Sequence, residues 1–227
     1  MYCPPFGVTL QHNNSDIKKL ATRRKDMRPY HSYIYNKVKS LIAFFTLTAL
    51  CSCGAEDSIS HKFLCQFTFL TQNHPGNTLE VALTGQGTYT FVKASYEYGV
   101  WHILSTPNDG RNYTENISIT SAIEKQYATY SNLGANNGII IGQTNFNGRV
   151  AYDRQCPNCI NQYGGTYYPL EWDETNRQQV VCSKCHRTYA LETGGVVDGG
   201  SGVRLMQYPI TYTSYPTGGG MIIRVQN

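Results

Sequence analysis

The sequence predicts an all-β protein built from stacked antiparallel sheets. The 227-residue chain contains 18 tyrosines and 21 glycines, a composition that favours strands and tight turns over long helices. Short segments with an apolar residue at every second position recur along the chain, and no stretch keeps a helical period over many turns. From about Ser60 to the last residue there are roughly 168 residues, enough for one well-packed domain.

Six segments carry the strand pattern, and clusters of Gly, Pro and Asn separate them. In chain order the predicted strands are residues 62–70, 87–92, 99–104, 117–120, 138–143 and 150–154. The predicted turns between them are residues 74–77, 107–110 and 145–149. Two further segments, 77–83 and 121–127, are each expected to form one or two helical turns. Strands this short and this often interrupted are typical of a sandwich or a barrel.

Residues 27 to 57 resemble the leader of a bacterial lipoprotein. Met27 and Arg28 open a basic stretch, and residues 41–50 form an apolar run. That run suits a signal peptide but is too short to cross a bilayer core of roughly 30 Å as a helix. Leu50-Cys51-Ser52-Cys53-Gly54 then resembles a lipobox, which predicts cleavage before Cys53 and lipidation of that residue. The alternative, a buried helix of a cytosolic protein, lacks helix caps on either flank.

These features divide the chain into four parts. Residues 1–26 are expected to be upstream sequence translated from a mis-assigned start, and 27–52 a signal peptide. Residues 53–60 would be the acylated cysteine and a tether, and 61–227 a β-rich domain. The acidic segment 54–57 resembles a signal that exports some lipoproteins to the cell surface, although an ordinary solvated linker has the same composition. The expected location is the bacterial envelope, as an outer-membrane lipoprotein on the periplasmic or the surface face.

Charge is distributed unevenly between the leader and the domain. The whole chain has a formal charge of +4. The first 53 residues hold eight Lys or Arg against two Asp, a net of +6, so the remaining residues sum to −2. A near-neutral domain without a basic stripe has no electrostatic footprint for nucleic acid. We therefore expect a membrane, through the lipid anchor, and an envelope protein as partners, and neither nucleic acid nor a small-molecule substrate.

Four cysteines carry the most specific chemistry in the chain. Cys156 and Cys159 form one C-x-x-C pair, Cys182 and Cys185 form a second, and 22 residues separate the pairs. Two residues between thiolates let one tight turn direct both sulfurs at a single ion, so two such turns can complete a tetrahedron. The separation slightly exceeds the usual range of roughly 15 to 20 residues in a zinc ribbon. Disulfide-forming pairs or buried free thiols are the alternative, because the chain is expected to be exported.

The residues around the second pair resemble the second cluster-binding loop of Rieske iron–sulfur domains. Tyr189 stands at that family's aromatic position, Thr193-Gly194 at its turn, and residues 199–210 at its Gly-rich loop and closing strand. Residues 138–153 precede Cys156 much as two strands precede the family's first loop. The resemblance covers roughly residues 135 to 215. It implies a Rieske-like topology with two metal-binding loops.

The ligand set departs from that family. Rieske clusters have two Cys and two His ligands, whereas Cys159, shifted by one residue, and Cys185 stand at the histidine positions here. His186 follows Cys185 where the family has Gly, so it is not the family's ligand. Four thiolates suit zinc or iron, and we expect zinc because Ile160 and His186 are too bulky for the amide–sulfur contacts of a rubredoxin-like iron site. The alternative cofactor is iron, alone or as a 2Fe–2S cluster.

The sequence offers no convincing arrangement of catalytic residues. His61, His74 and His102 stand apart from one another, and His102 is expected to be a packed histidine. The carboxylates around Trp172 are expected to be solvated in a hairpin; they belong to Glu171, Asp173 and Glu174. Three tyrosines, Tyr163, Tyr167 and Tyr168, are expected to pack on sheet faces with their hydroxyls at the rim.

Together these observations predict a non-catalytic envelope lipoprotein and not an enzyme. Its four-cysteine site would hold a structural metal, and the domain would act as an interaction module. An electron carrier using iron on the same cysteines is the alternative. A thiol–disulfide exchanger is a third hypothesis, but neither C-x-x-C pair lies in a thioredoxin-like strand-to-helix context.

Overall fold

A computed structural model describes residues 59–216 and 218–227. The predicted signal peptide, the predicted lipidation site Cys53 and residues 53–58 of the tether lie outside the described residues. The described part belongs to one compact unit and is mainly β, which confirms the predicted all-β class of stacked antiparallel sheets. None of the helices in this part is long and apolar enough to cross a membrane.

Three helices and thirteen strands occur within the described residues. The strands are β1 (Gln66–Leu70), β2 (Thr88–Glu97), β3 (Val100–Pro107), β4 (Glu115–Ile119), β5 (Ile139–Gln143), β6 (Arg149–Asp153), β7 (Glu171–Trp172), β8 (Gln179–Val181), β9 (Thr188–Ala190), β10 (Val196–Asp198), β11 (Gln207–Tyr208), β12 (Ile210–Ser214) and β13 (Met221–Gln226). The helices are α1 (Thr78–Thr84), α2 (Ala122–Tyr127) and α3 (Pro157–Tyr163), with 3-10 turns at Thr71–Asn73 and Gly134–Asn136.

A six-stranded antiparallel sheet in the order β11-β6-β5-β2-β3-β4 forms the centre of the domain. Its longest ladder joins β2 to β3 through a two-residue turn, Tyr98-Gly99, with φ of 50° and 82°. Positive φ at both turn residues is the type I′ geometry that matches the twist of a hairpin. Because the turn fixes the register, Tyr96 lies directly opposite Trp101.

Both faces of the central sheet are buried. On β5, Ile139 and Ile141 join one apolar cluster while Ile140 joins the other. The first cluster includes Phe67 of β1 and Val225 of β13, so the three-stranded sheet β1-β13-β12 covers this face. The second cluster contains three of the four C-x-x-C cysteines. The four-stranded sheet β10-β9-β8-β7, which carries the second cysteine pair, therefore packs on the opposite face.

The predicted strands correspond to β1 through β6 with shifted ends. Residues 62–65 lie outside β1, where only Cys65 makes an isolated bridge, and β2 continues beyond residue 92 to Glu97. Both predicted helical segments form: Asn77 caps α1 by accepting from the Glu80 amide at 3.0 Å, and α2 follows Ser121. Helix α3 was not predicted, because its buried positions are only Pro157 and Cys159 and give no apolar period.

Candidate metal centre

The first cysteine pair lies where the chain leaves the central sheet and enters α3. Cys156 is the residue before the helix, and Pro157 occupies its first position, where the missing amide proton costs nothing. The Cys156 amide donates to the Tyr168 carbonyl at 2.9 Å, and the Ile160 amide donates to the Cys156 carbonyl at 3.3 Å. The helical turn places Cys159 on the same side as Cys156, as a C-x-x-C pair requires.

The second pair lies in the turn between β8 and β9. The Cys182 amide donates to the Arg187 carbonyl at 3.0 Å, and the His186 amide donates to the Cys182 carbonyl at 2.8 Å. These bonds close a loop with Cys185 near its tip. His186 has a φ of 57°, in the left-handed region, and thereby lets the chain reverse into β9.

All four sulfurs converge on one point. Their ligand atoms lie within 4.8 Å of one another. Two of the separations that join the pairs are 3.7 Å, from Cys156 Sγ to Cys185 Sγ, and 3.6 Å, from Cys159 Sγ to Cys182 Sγ. A tetrahedral ion with Zn–S bonds of about 2.3 Å requires sulfur separations of about 3.8 Å. The predicted four-cysteine site is thus a group that can hold a metal ion.

The alternative of disulfide pairing is not realised. Each of the four residues is a free cysteine, and Cys156, Cys159 and Cys182 are fully buried. Cys185 is half-buried, so one edge of the site faces solvent. Because β8 and β9 belong to the small sheet and Cys156 follows β6 of the central sheet, an ion held here would join the two sheets.

The surroundings of the thiols set the conditions for metal binding. Burial raises the pKa of the Cys159 thiol to about 12, and the pKa of Cys156 is raised to about 12 by a hydrogen bond with Cys182 and by burial. With pKa values raised this far, the metal-free thiols of Cys156 and Cys159 hold their protons near neutral pH. A divalent cation supplies the compensating charge, and its binding must release these protons.

Two residues other than the cysteines, Tyr189 and Asn158, orient Cys156. The hydroxyl of Tyr189 lies 3.2 Å from Cys156 Sγ, and Asn158 Nδ2 donates to the same hydroxyl at 2.7 Å. Since the Tyr189 oxygen accepts from Asn158, its proton is free to point at the sulfur. Tyr189 is fully buried; the sequence indicates it only as an aromatic position of the Rieske-like loop, and it gives no signal for Asn158.

A third segment, residues 199–203, covers the second cysteine loop. Asn158 holds it at Val203 through two hydrogen bonds of 3.0 Å, and Arg187 Nε donates to the Ser201 carbonyl at 3.0 Å. A Cβ at Gly199 would lie 2.5 Å from the His186 carbonyl oxygen, so this position requires glycine. Arg187 also makes a hydrogen bond with Cys185 that raises the pKa of its guanidinium. A cation therefore adjoins the exposed edge of the thiolate cluster.

The small sheet is attached to the central sheet by stacked side chains. Trp172 of β7 stacks on Phe91 of β2 with ring centroids 3.8 Å apart and an angle of 6° between planes. On Phe91, the Arg154 guanidinium lies 4.0 Å from the ring centroid. The neighbouring Asp173 accepts from the Thr175 and Asn176 amides and so closes a turn, while Glu171 and Glu174 are exposed.

The remaining predicted groups lie elsewhere in the described chain. His74 pairs with the buried Glu124 at 2.8 Å, His102 contacts Asn116 and Ser118, and His61 is exposed. None of these histidines joins the cysteine cluster. Of the three tyrosines expected to pack on sheet faces, Tyr168 packs against the second apolar cluster. The other two are largely exposed, Tyr167 at 82% and Tyr163 at 50%.

The convergence of the four sulfurs is the feature that indicates metal binding. Comparisons with protein-family models, with curated proteins and with solved structures gave no match to this chain.

Proposed function

We propose that the protein is a non-catalytic envelope lipoprotein whose β domain is held together by a structural zinc ion and serves as an interaction module. The observation that carries this proposal is the convergence of four cysteine sulfurs at separations close to those of a zinc–thiolate tetrahedron. We also propose that the resemblance to Rieske domains reflects a common scaffold in which two loops bind the metal.

A structural role follows from the closed ligand set. Four protein ligands complete the tetrahedral coordination of zinc, so no position is left for a water molecule or a substrate. Three of the ligands are fully buried, and the fourth, Cys185, has Arg187 beside it. The ion would therefore connect two loops that are 22 residues apart in sequence. Structural zinc sites bind with roughly 10 to 16 kcal/mol near neutral pH, which exceeds the stability of most small domains.

Two backbone amides favour zinc over iron. Hydrogen bonds to the sulfurs tune the potential of an iron site. Here the Ile160 amide donates to the Cys156 carbonyl and the His186 amide to the Cys182 carbonyl. Both amides are thus committed to oxygen acceptors. These two amides stabilise the loops and do not donate to sulfur, which counts against an electron carrier, the alternative function on the same four cysteines.

The envelope location rests on the lipobox-like segment 50–54. Expression of the full chain in a diderm bacterium with a radioactive fatty acid tests it. The wild type should be labelled and should sediment with membranes. The Cys53→Ser variant should not be labelled and should not sediment with membranes. Cys51→Ser is the matched control, because it removes a cysteine two residues away and should stay labelled. Equal labelling of wild type and Cys53→Ser would contradict the lipoprotein assignment.

Hydrogen exchange after chelation tests the structural role of the metal. The Cys182 amide, bonded to the Arg187 carbonyl, should exchange much faster once the ion is removed. Amides in the β1–β13 ladder, which belongs to the other face of the central sheet, serve as the internal control. Unchanged exchange at Cys182 in protein shown to have lost its metal would contradict the structural role.

A further inference from the structure

We propose that a cavity at the end of the β2–β3 hairpin binds an anionic saccharide ring. The cavity is a separate site from the cysteine cluster, and its volume is about 210 Å³. It is lined by Tyr96, Gly99, Trp101, Lys125, Ala128 and Tyr130. At roughly 30 Å³ per water molecule, this space equals about seven waters, which suits a single sugar ring rather than a large ligand.

Aromatic rings form the concave part of the cavity. Tyr96 and Trp101 are cross-strand partners with centroids 5.1 Å apart and an angle of 51° between their planes. The ring centroids of Trp101 and Tyr130 are 5.9 Å apart, and the angle between the two ring planes is 57°. The tilted rings present faces at different angles, and Tyr96 is 60% exposed. Such faces suit a ring whose C–H groups can pack on them while its hydroxyls stay outside.

Tyr130 contributes its ring to the wall of the cavity. The residue is only 3% exposed, and its ring packs at an angle against Trp101. Its hydroxyl is buried away from solvent, so a ligand in the cavity would contact the ring of Tyr130 and not this oxygen. The ring therefore extends the apolar surface on which a sugar ring can pack.

Lys125 determines the charge of the ligand. Its side chain is exposed on α2 and, within the described residues, forms no ion pair with a carboxylate. An ammonium group at the mouth of an aromatic cavity disfavours cationic ligands, which aromatic cages otherwise bind. A carboxylate on the ligand would instead form a charge-assisted hydrogen bond with Lys125. A ring with apolar C–H faces, hydroxyls that stay in solvent and a negative charge together describe a uronic acid.

Titration of the full chain with methyl β-D-glucuronide and methyl α-D-galacturonide, followed by tryptophan fluorescence, tests this site. Trp101 lines the cavity, so binding should change its emission saturably. The detergent must be free of sugar, such as an amine oxide, because a glycosidic headgroup would compete. We expect at least one of the two uronides to bind, and the matching neutral methyl glycoside to bind about tenfold more weakly.

Matched variants localise the binding. Lys125→Gln should weaken it about tenfold, and Tyr96→Ala should weaken it at least as much. Lys62→Gln, another exposed lysine beside an aromatic ring, and Tyr167→Ala, another exposed tyrosine, should bind like the wild type. All four residues are exposed, so thermal unfolding should confirm that each variant is folded. No saturable change with either uronide, equal binding of the neutral glycoside, or wild-type binding by Lys125→Gln would overturn the proposal.

Discussion

Replacing Cys182 by serine tests how far each thiolate depends on the other three. The side chain is fully buried, and its sulfur lies 3.6 Å from Cys159 Sγ. A serine hydroxyl stays protonated near neutral pH and is a poor zinc ligand, so we expect the variant to lose its metal on dialysis. The free energy of unfolding should fall by at least about 3 kcal/mol, a part of the roughly 10 to 16 kcal/mol that a structural zinc site supplies.

Cys65→Ser provides the matched control for this prediction. Cys65 is also a fully buried free cysteine, but it belongs to the other apolar cluster. We expect its substitution to lower stability while the metal content stays unchanged. Urea unfolding and metal analysis of both variants separate the two effects. Retention of a full complement of metal by Cys182→Ser would show that this thiolate is not a ligand.

Tyr189→Phe tests the contact that supports Cys156. The variant removes the hydroxyl beside Cys156 Sγ and leaves Asn158 Nδ2 without that acceptor. Residues that orient metal ligands typically change metal affinity about 10- to 100-fold when they are lost, and we expect a loss in this range. Competition with a chelator at fixed pH measures it. Tyr208→Phe removes a buried hydroxyl that donates to Asp153 at 2.7 Å, so it should lower stability without changing metal affinity. Equal metal affinity in wild type and Tyr189→Phe would contradict the role assigned to this hydroxyl.

Asp153 gives a prediction about pH. Burial raises the pKa of its carboxyl above the ordinary value of 3.8, against hydrogen bonds from the Ala135 amide, Tyr208 and the Gln155 amide. A raised pKa means that the folded protein holds this proton more tightly than the unfolded chain does. The contribution of Asp153 to stability is therefore fully present below about pH 3.8 and decreases as pH rises through the folded-state pKa.

Asp153→Asn cannot ionise, so its stability relative to the wild type should increase as pH rises from about 3.8 and then level off. The absolute difference also contains the altered hydrogen bonds, but these do not change with pH. Urea midpoints of both proteins across this pH range give the slope. A difference that stays constant or moves in the opposite direction would contradict the raised pKa.

Among the structural elements, β5 requires a small residue at position 142. A Cβ on Gly142 would lie 2.3 Å from Tyr89 Cδ1 and 2.4 Å from the Thr88 carbonyl oxygen. Gly142→Ala should therefore destabilise the domain by about 1 to 3 kcal/mol, because backbone and ring must both move. At Gly138 a Cβ would lie 3.5 Å from two Arg154 carbons and 3.8 Å from the Asn136 carbonyl oxygen. These are ordinary contacts, so Gly138→Ala should be nearly neutral. Equal thermal midpoints for the two variants would contradict the close packing of β2 on β5.

The sequence indicated β-structure best where polar and apolar residues alternate in long ladders. Phe67 and Phe69 of β1 both face the first apolar cluster, as their spacing predicts. Strand β5 reads as three consecutive isoleucines, because both of its faces are buried. The short strands β7 to β10 have two or three residues each, too few for a period to be visible. Their position follows from the turns and from contacts with distant segments.

At the scale of the whole molecule, the cysteine ligands were predictable and their support was not. The C-x-x-C spacing is a local property of the chain, so it identified the four ligands directly. Asn158, Arg187 and segment 199–203 act through contacts with residues 14 to 45 positions away in sequence. No local pattern records such contacts. Likewise, Tyr130 and Lys125 line one cavity together with Tyr96 and Trp101, which lie more than 20 residues earlier in the sequence.

Metal analysis combined with a visible absorption spectrum tests whether the four cysteines hold a zinc ion. The protein should be purified without oxygen, since oxidation could remove iron and leave disulfides that imitate a metal-free site. We expect a colourless protein with about one zinc per chain, bound by Cys156, Cys159, Cys182 and Cys185. A coloured protein that bleaches on reduction would contradict zinc in favour of an iron electron carrier. Four alkylatable thiols with no bound metal would contradict the metal site itself.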